Sequence, residues 1–163
     1  MKKFLFIFFL LIFLTSEAMT LKGGVAEEYI PKGFYGSWGV ISKLQNSNKP
    51  TLFNYQSKDI WILSGHNNVL VLQNLESGAI SEIRVKEKTT DGKTLKFQRE
   101  KISSNNDYKI IYKETVKFKL HGNNFSGSDD FIVEKYDNKG ILLEKNEANY
   151  RVEGVKISGS KPE

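Results

Sequence analysis

The segment from Tyr108 to Leu120 has the most regular pattern in the chain. Its apolar side chains occupy even positions and its lysines occupy odd positions, and only Ile111 and Glu114 depart from this period of two. Successive side chains of a β-strand point to opposite faces of the sheet, so the pattern predicts a strand with one buried and one solvated face. We therefore expect antiparallel β-structure with one face in water.

The first 18 residues have the features of an export signal. Two lysines precede an unbroken apolar run, Phe4 to Leu14, and small residues at Ser16 and Ala18 stand where a signal peptidase reads the chain. A membrane anchor is the alternative, but this run is shorter than the roughly 20 residues that a spanning helix needs. We predict cleavage after Ala18, a periplasmic or secreted protein, and a mature form that does not span the membrane.

Composition excludes several classes of protein. The chain has 163 residues, a net charge of +5 and no cysteine, so its stability must come from packing without disulfides. The basic residues are spread over the chain instead of clustered, which argues against a nucleic-acid-binding protein. We expect no metal site and no cofactor, because cysteine is missing and the two histidines are far apart in sequence.

Turn signals divide the chain after residue 33 into short segments of strand composition. Asp91-Gly92 is typical of a tight hairpin, and the longest irregular connection covers residues 44–55. A long meander leaves unpaired strand edges unless it closes, so we predict an all-β fold, an antiparallel up-and-down barrel of about eight strands. A two-sheet β-sandwich is the alternative. The predicted strands cover residues 34–41, 58–64, 69–75, 79–88, 94–101, 108–120, 125–136, and 141–145 with 148–157, the last two being one bent strand or two, with a bulge at Gly154.

These boundaries give one folded domain. The predicted signal peptide covers residues 1–18, an N-terminal segment covers 19–33, the barrel domain covers 34–158, and a polar tail covers 159–163.

Gly36-Ser37-Trp38, on the first predicted strand, resembles the Gly-X-Trp motif of the lipocalin-like (calycin) barrels. In that family the tryptophan plugs one end of the barrel, and an arginine from the last strand packs across its ring. The resemblance implies that Gly36, Trp38 and Arg151 close the barrel, with a guanidinium over the indole. The chain differs from the commoner lipocalins in having no disulfide cysteines and no amphipathic helix after the last strand.

The aromatic residues of the buried face are candidate ligand contacts. Tyr108, Tyr112 and Phe118 share one face of the central strand, and Phe97 and Phe131 belong to the strands on either side. They are expected to line a pocket for an apolar ligand or, as the alternative, to fill a narrow barrel.

Glu114 is a carboxylate at an apolar-face position, where burial without a partner costs several kcal/mol or forces protonation. Turn-based register brings Arg99 and Asp129 close to it, and such a cluster could bind a polar ligand group or do acid–base work. The preferred interpretation is a bulge that turns Glu114 outward, towards a neighbouring lysine, because a register error of one residue reverses every face.

The leading hypothesis is therefore an exported, non-catalytic protein that binds a small apolar or amphipathic ligand inside the barrel, with Arg99 or Glu114 orienting a polar group. The alternative is an interaction module whose lysine-rich outer face or 44–55 loop contacts an anionic component of the cell envelope or another protein. An enzyme is not expected, because the chain contains no phosphate loop and no nucleophile elbow.

Overall fold

A computed structural model describes residues 29–66 and 68–159 of the chain. The predicted signal peptide and its cleavage site lie outside the described residues, as do residues 19–28 of the N-terminal segment and 160–163 of the tail. The described part contains eight strands and two single-turn 3₁₀ helices, Lys32–Phe34 and Pro50–Leu52. The strands are β1 (Gly36–Ser47), β2 (Gln56–His66), β3 (Val69–Asn74), β4 (Ile80–Arg84), β5 (Thr94–Ser104), β6 (Tyr108–His121), β7 (Asn124–Asp137) and β8 (Leu142–Ser158).

All eight strands belong to one antiparallel sheet with the order β4-β3-β2-β1-β8-β7-β6-β5. Consecutive strands pair as hairpins, except across the β4–β5 connection, and the pairing of β1 with β8 curls the sheet into a nearly closed barrel. Among the described residues no backbone ladder joins β4 to β5, and we call this gap the seam. The prediction of an up-and-down β-barrel is confirmed.

One end of the barrel, which we call the closed end, is filled by aromatic side chains. The rings of Trp38 and Phe118 each lie 4.9 Å from the ring of Phe125 between their centroids. All three side chains are buried, as are the neighbouring Leu63 and Leu70. Each points inward because strand side chains alternate between the two faces of the sheet. The opposite end, where β5 ends and β6 begins, is called the open end.

The chain that precedes β1 caps the closed end. Ile30 and Phe34 are buried in the core, and the indole Nε1 of Trp38 donates a 2.7 Å hydrogen bond to the carbonyl of Phe34. Lys156 on β8 lies with its Nζ 4.9 Å from the centroid of the Trp38 ring and donates to the carbonyl of Gly33. Segment and barrel therefore form one core.

The assignment of Arg151 as the cation over Trp38 is wrong. Arg151 is exposed and forms a 2.7 Å ion pair with Glu153, whereas Lys156 lies over the indole. The reason is strand alternation, since even-numbered residues of β8 face the interior and odd-numbered residues face solvent.

Gly36 and Gly154 are two of the glycines at which a side chain has no room. Gly36 has a φ of +125°, and a Cβ there would lie 2.2 Å from the carbonyl oxygen of Ser158 where β1 meets β8. A Cβ on Gly154 would lie 2.2 Å from the Phe125 ring. Gly154 pairs in register with Phe125 and Val40, so the predicted bulge at this position is wrong.

β1, β2 and β5 extend farther towards the open end than the sequence pattern indicated, whereas β4 is shorter than the predicted strand 79–88. β1 continues to Ser47, which pairs with Ala148 on β8, so the irregular connection shrinks from residues 44–55 to residues 48–55. β8 is one continuous strand through Asn146. The extension of β1 and the continuity of β8 could not be predicted, because the residues there are polar and show no apolar alternation. Their strand conformation depends on pairing with the neighbouring strand.

Candidate ligand site at the open end

Inward-facing side chains of β4, β5, β6 and β7 surround a cavity of about 360 Å³. It lies on the open-end side of the aromatic core and next to the seam, so the interior is filled at one end and hollow at the other. The cavity is lined by Ser81, Arg99, Lys101, Ser103, Tyr112, Glu114 and Phe131.

Glu114 faces the interior, and the preferred interpretation of an outward bulge is wrong. The ladders of β6 with β5 and with β7 run without a register shift, and they place Glu114 opposite Arg99 and Phe131. The Nε of Arg99 donates to Oε2 of Glu114, which is almost completely buried. This ion pair offsets the burial of the carboxylate, so a bulge is not needed.

Arg99 also bridges the seam. Its Nη1 donates a 3.0 Å hydrogen bond to the hydroxyl of Ser81 on β4. A side-chain contact thus joins the two strands that lack a backbone ladder. Burial lowers the pKa of Arg99 from its ordinary value, and the nearby carboxylate of Asp129 opposes this change.

Asp129 completes the charged cluster one layer deeper. It lies opposite Val116 and Tyr150 on the inner face, and its Oδ1 is a buried oxygen without a hydrogen-bond partner among the described residues. Burial raises the pKa of Asp129 to about 6, although the positive charge of Arg99 acts in the opposite direction. The predicted grouping of Arg99, Glu114 and Asp129 is present in the structure.

Aromatic rings form the apolar side of the site. The centroids of Tyr112 and Phe131 are 6.3 Å apart, and Phe53 meets Phe131 edge-on at 6.2 Å. Phe53 lies in the connection between β1 and β2 and was not among the predicted contacts. The available signal was an apolar ring inside a polar connection, and it does not single out Phe53, because Leu52 and Tyr55 of the same connection are exposed.

The other predicted contacts lie outside the cavity. Phe118 belongs to the filled core, and Phe97 packs edge-on against it with centroids 6.4 Å apart. Tyr108 lies farther along β6, where the ammonium group of Lys135 lies 4.3 Å from its ring centroid. Of the five predicted aromatic contacts, only Tyr112 and Phe131 line the cavity.

The open end is also rich in exposed apolar side chains. Most of the large hydrophobic residues that are exposed in the described part of the chain belong to the connections and strand ends around the cavity. Val155 and Ile157 are the exceptions, on the solvent side of β8 near the closed end. The side chains at the open end are Leu52, Tyr55, Leu75, Ile80, Ile102, Ile141, Leu142 and Leu143.

Comparison with known proteins does not assign a family. No protein-family model matches the chain, and no curated protein matches it significantly. The nearly closed barrel is compatible with a calycin-like fold. In residues 29–66 and 68–159, no helix has the length and apolar character needed to cross a membrane, and no three His, Asp or Glu side chains group in a way that suits a metal ion.

Proposed function

We propose that this protein is an exported, non-catalytic binding protein that holds a small amphipathic ligand in the open-end cavity. The observation that carries the proposal is the composition of the cavity wall, with the rings of Tyr112 and Phe131 on one side and the Arg99–Glu114 pair on the other. Ligand sites typically combine an apolar lining with a few placed polar groups.

The size and surroundings of the cavity limit the ligand class. A volume of about 360 Å³ is at the lower end of the usual range for small-molecule sites, so the ligand is small. Its apolar part lies against the rings, and its polar group bonds to the free donors of Arg99 or to Glu114. The apolar side chains around the open end favour a ligand with substantial apolar surface.

Export is supported by the N-terminal pattern of lysines, apolar run and small residues. We propose no reaction for the cluster, because Glu114 is held by Arg99 and Asp129 lies below the cavity lining. Binding is then the function that uses the hollow half of the barrel, while the filled half supplies stability.

The test starts with the mature protein purified from its exporting cells without detergent. Native mass spectrometry before and after denaturation should reveal a small molecule that leaves on unfolding. In parallel, the affinity for 8-anilino-1-naphthalenesulfonate, an amphipathic probe, should fall about tenfold in Phe131→Ala, because an aromatic wall is lost. Ile132→Ala is the matched control, since Ile132 is the next residue of β7 and faces the opposite side of the sheet.

Circular dichroism should show that both variants keep the β-sheet. Equal probe affinities in Phe131→Ala and wild type would contradict the proposal, and so would an equal loss in the two variants.

A further inference from the structure

A second concave site lies on the outer surface of the barrel, beside the seam. It has a volume of about 410 Å³ and is formed by the end of β4, the chain that follows it, and residues of β5, β6 and β7. Most of these residues face solvent, but Phe97 and Val116 belong to the buried core. We call it the outer crevice. Its lining shares no residue with that of the interior cavity, so the two sites would be occupied separately.

Positive charge dominates the outer crevice. Four basic side chains line it against two acidic ones, and the carboxylate of Asp130 already accepts a 2.6 Å hydrogen bond from Asn149. Thr115, Gln98 and Ser128 add neutral hydrogen-bonding groups. The charged residues are Arg84, Lys86, Lys96 and Lys117, with Glu87 and Asp130.

The pairing of Lys96 with Lys117 is the most informative feature. The two lysines lie directly opposite each other on β5 and β6, and like charges in this position destabilise a sheet. Within the described residues, neither forms an ion pair, whereas two other outward lysines of β6 lie near carboxylates. Lys113 bonds to Glu134 at 2.8 Å, and Lys119 lies 3.8 Å from Asp91.

The row of side chains that begins with this pair continues across the barrel. Ser128 on β7 lies opposite Lys117, Arg151 on β8 lies opposite Ser128, and Lys43 on β1 lies opposite Arg151. Neighbouring strands are about 4.8 Å apart, so the row extends over roughly 19 Å. Three of the four cations in this row, Lys96, Lys117 and Lys43, form no ion pair within the described residues, whereas Arg151 is paired with Glu153 at 2.7 Å. Such a line of cations and a hydroxyl suits a chain of anionic groups better than a single ion.

We propose that the outer crevice binds a linear phosphate-bearing polymer, with one phosphate group between Lys96 and Lys117 and the following groups along the row. Lysine ammonium groups and hydroxyl donors suit phosphate oxygens, and a bound phosphate removes the repulsion between the two lysines. This proposal does not depend on the interior ligand. It assigns the contact with anionic envelope material, which the sequence left to the whole lysine-rich face, to one row of residues.

The test measures binding of fluorescein-labelled linear polyphosphate to the mature protein at several salt concentrations, with inorganic phosphate as a competitor. Lys96→Thr/Lys117→Thr should weaken binding at least tenfold at low salt and reduce the salt slope by about 2, because each phosphate-contacting lysine contributes about 1. Long polyphosphate should bind far more tightly than inorganic phosphate.

Lys113→Thr/Lys119→Thr is the matched control, because it removes the same charge from the same face but at lysines that lie near carboxylates. We expect this variant to change the affinity less than threefold. An equal loss in the two double variants would overturn the proposal, as it would indicate general attraction to a basic surface. Absence of wild-type binding at low salt would also overturn it.

The melting temperature shows whether a loss of binding in the Lys96/Lys117 variant comes from lost contacts or from unfolding. Removing two repelling lysines should leave the melting temperature of Lys96→Thr/Lys117→Thr equal to or above that of the wild type. Binding of the interior probe should stay unchanged in this variant, so the outer crevice and the cavity are tested separately.

Discussion

Asp129→Asn is the substitution whose effect on stability follows most directly from the structure. Burial raises the pKa of this carboxyl from 3.8 to about 6. Between these two pH values the carboxyl is protonated in the folded protein and ionised in the unfolded chain. The stabilising contribution of the neutral carboxyl is complete below pH 3.8 and is lost as the pH rises through 6. Wild-type stability should therefore fall between about pH 4 and pH 7 because of this residue.

The magnitude follows from the size of the pKa change. Each pKa unit is worth about 1.36 kcal/mol, so the rise to about 6 corresponds to about 3 kcal/mol in the free energy of unfolding. Incomplete burial makes this an upper limit, and we expect about 1–3 kcal/mol. The amide that replaces the carboxyl in Asp129→Asn cannot ionise. This variant should therefore lose the pH dependence and exceed the wild type in stability at pH 7.5.

The assay is urea unfolding followed by tryptophan fluorescence at pH 5, 6, 7 and 8, because the indole of Trp38 is buried in the core. Carboxylates with lowered pKa values, such as Asp91 and Glu144, change charge below this range. Asp130→Asn is the control, since that neighbour is exposed and bonds to Asn149 on the outer face. If the free energy of unfolding changed with pH in the same way in the wild type and in Asp129→Asn, the reasoning would be refuted.

Three further predictions concern the core and the charged cluster. In the same urea assay, Lys156→Ala should lower the free energy of unfolding by about 1–2 kcal/mol, because it removes a contact with the indole and one hydrogen bond. Arg151→Ala is the control and should change the free energy of unfolding by less than about 0.5 kcal/mol. Arg99→Met should cost about 3 kcal/mol because it leaves buried Glu114 without a partner, and adding Glu114→Gln should restore part of this loss in a double-mutant cycle. Gly154→Ala should lower the melting temperature, since the new methyl group overlaps an aromatic ring of the core.

The parts of the fold that were predictable from sequence depend on local patterns. The period of two from Tyr108 to Leu120 identified β6. Asp91-Gly92 marked a turn just before β5, but the hairpin predicted there is wrong, because no backbone ladder joins β4 to β5 among the described residues. The curling of the sheet into a nearly closed barrel followed from the cost of unpaired edges, although the facing edges of β4 and β5 stay unpaired among the described residues. The grouping of Arg99 with Glu114 was also accessible, because the β5–β6 hairpin fixes which residues lie opposite each other.

The features that were missed depend on contacts between distant parts of the chain. No hairpin turn sets the register of β1 with β8, and this pairing decides that Lys156 and not Arg151 meets Trp38. Whether Glu114 faces the interior depends on whether a cation lies close enough to offset the cost of burying its carboxylate. The sequence pattern does not show that contact. Phe53 reaches Phe131 only because the connection after β1 folds over the open end.

The seam lies beside both proposed binding sites. β4 has only five residues, and in the part of the chain that the structure describes no ladder joins it to β5, which has eleven. On the inside, the gap lies beside the cavity and is crossed by the bond from Arg99 to Ser81. On the outside, the same gap lies beside the outer crevice, between Arg84 of β4 and Lys96 of β5. A continuous ladder would bring β4 and β5 to the ordinary spacing of about 4.8 Å and remove space from both sites. The incomplete closure therefore leaves space for the interior cavity and for the outer crevice on the two sides of the same gap.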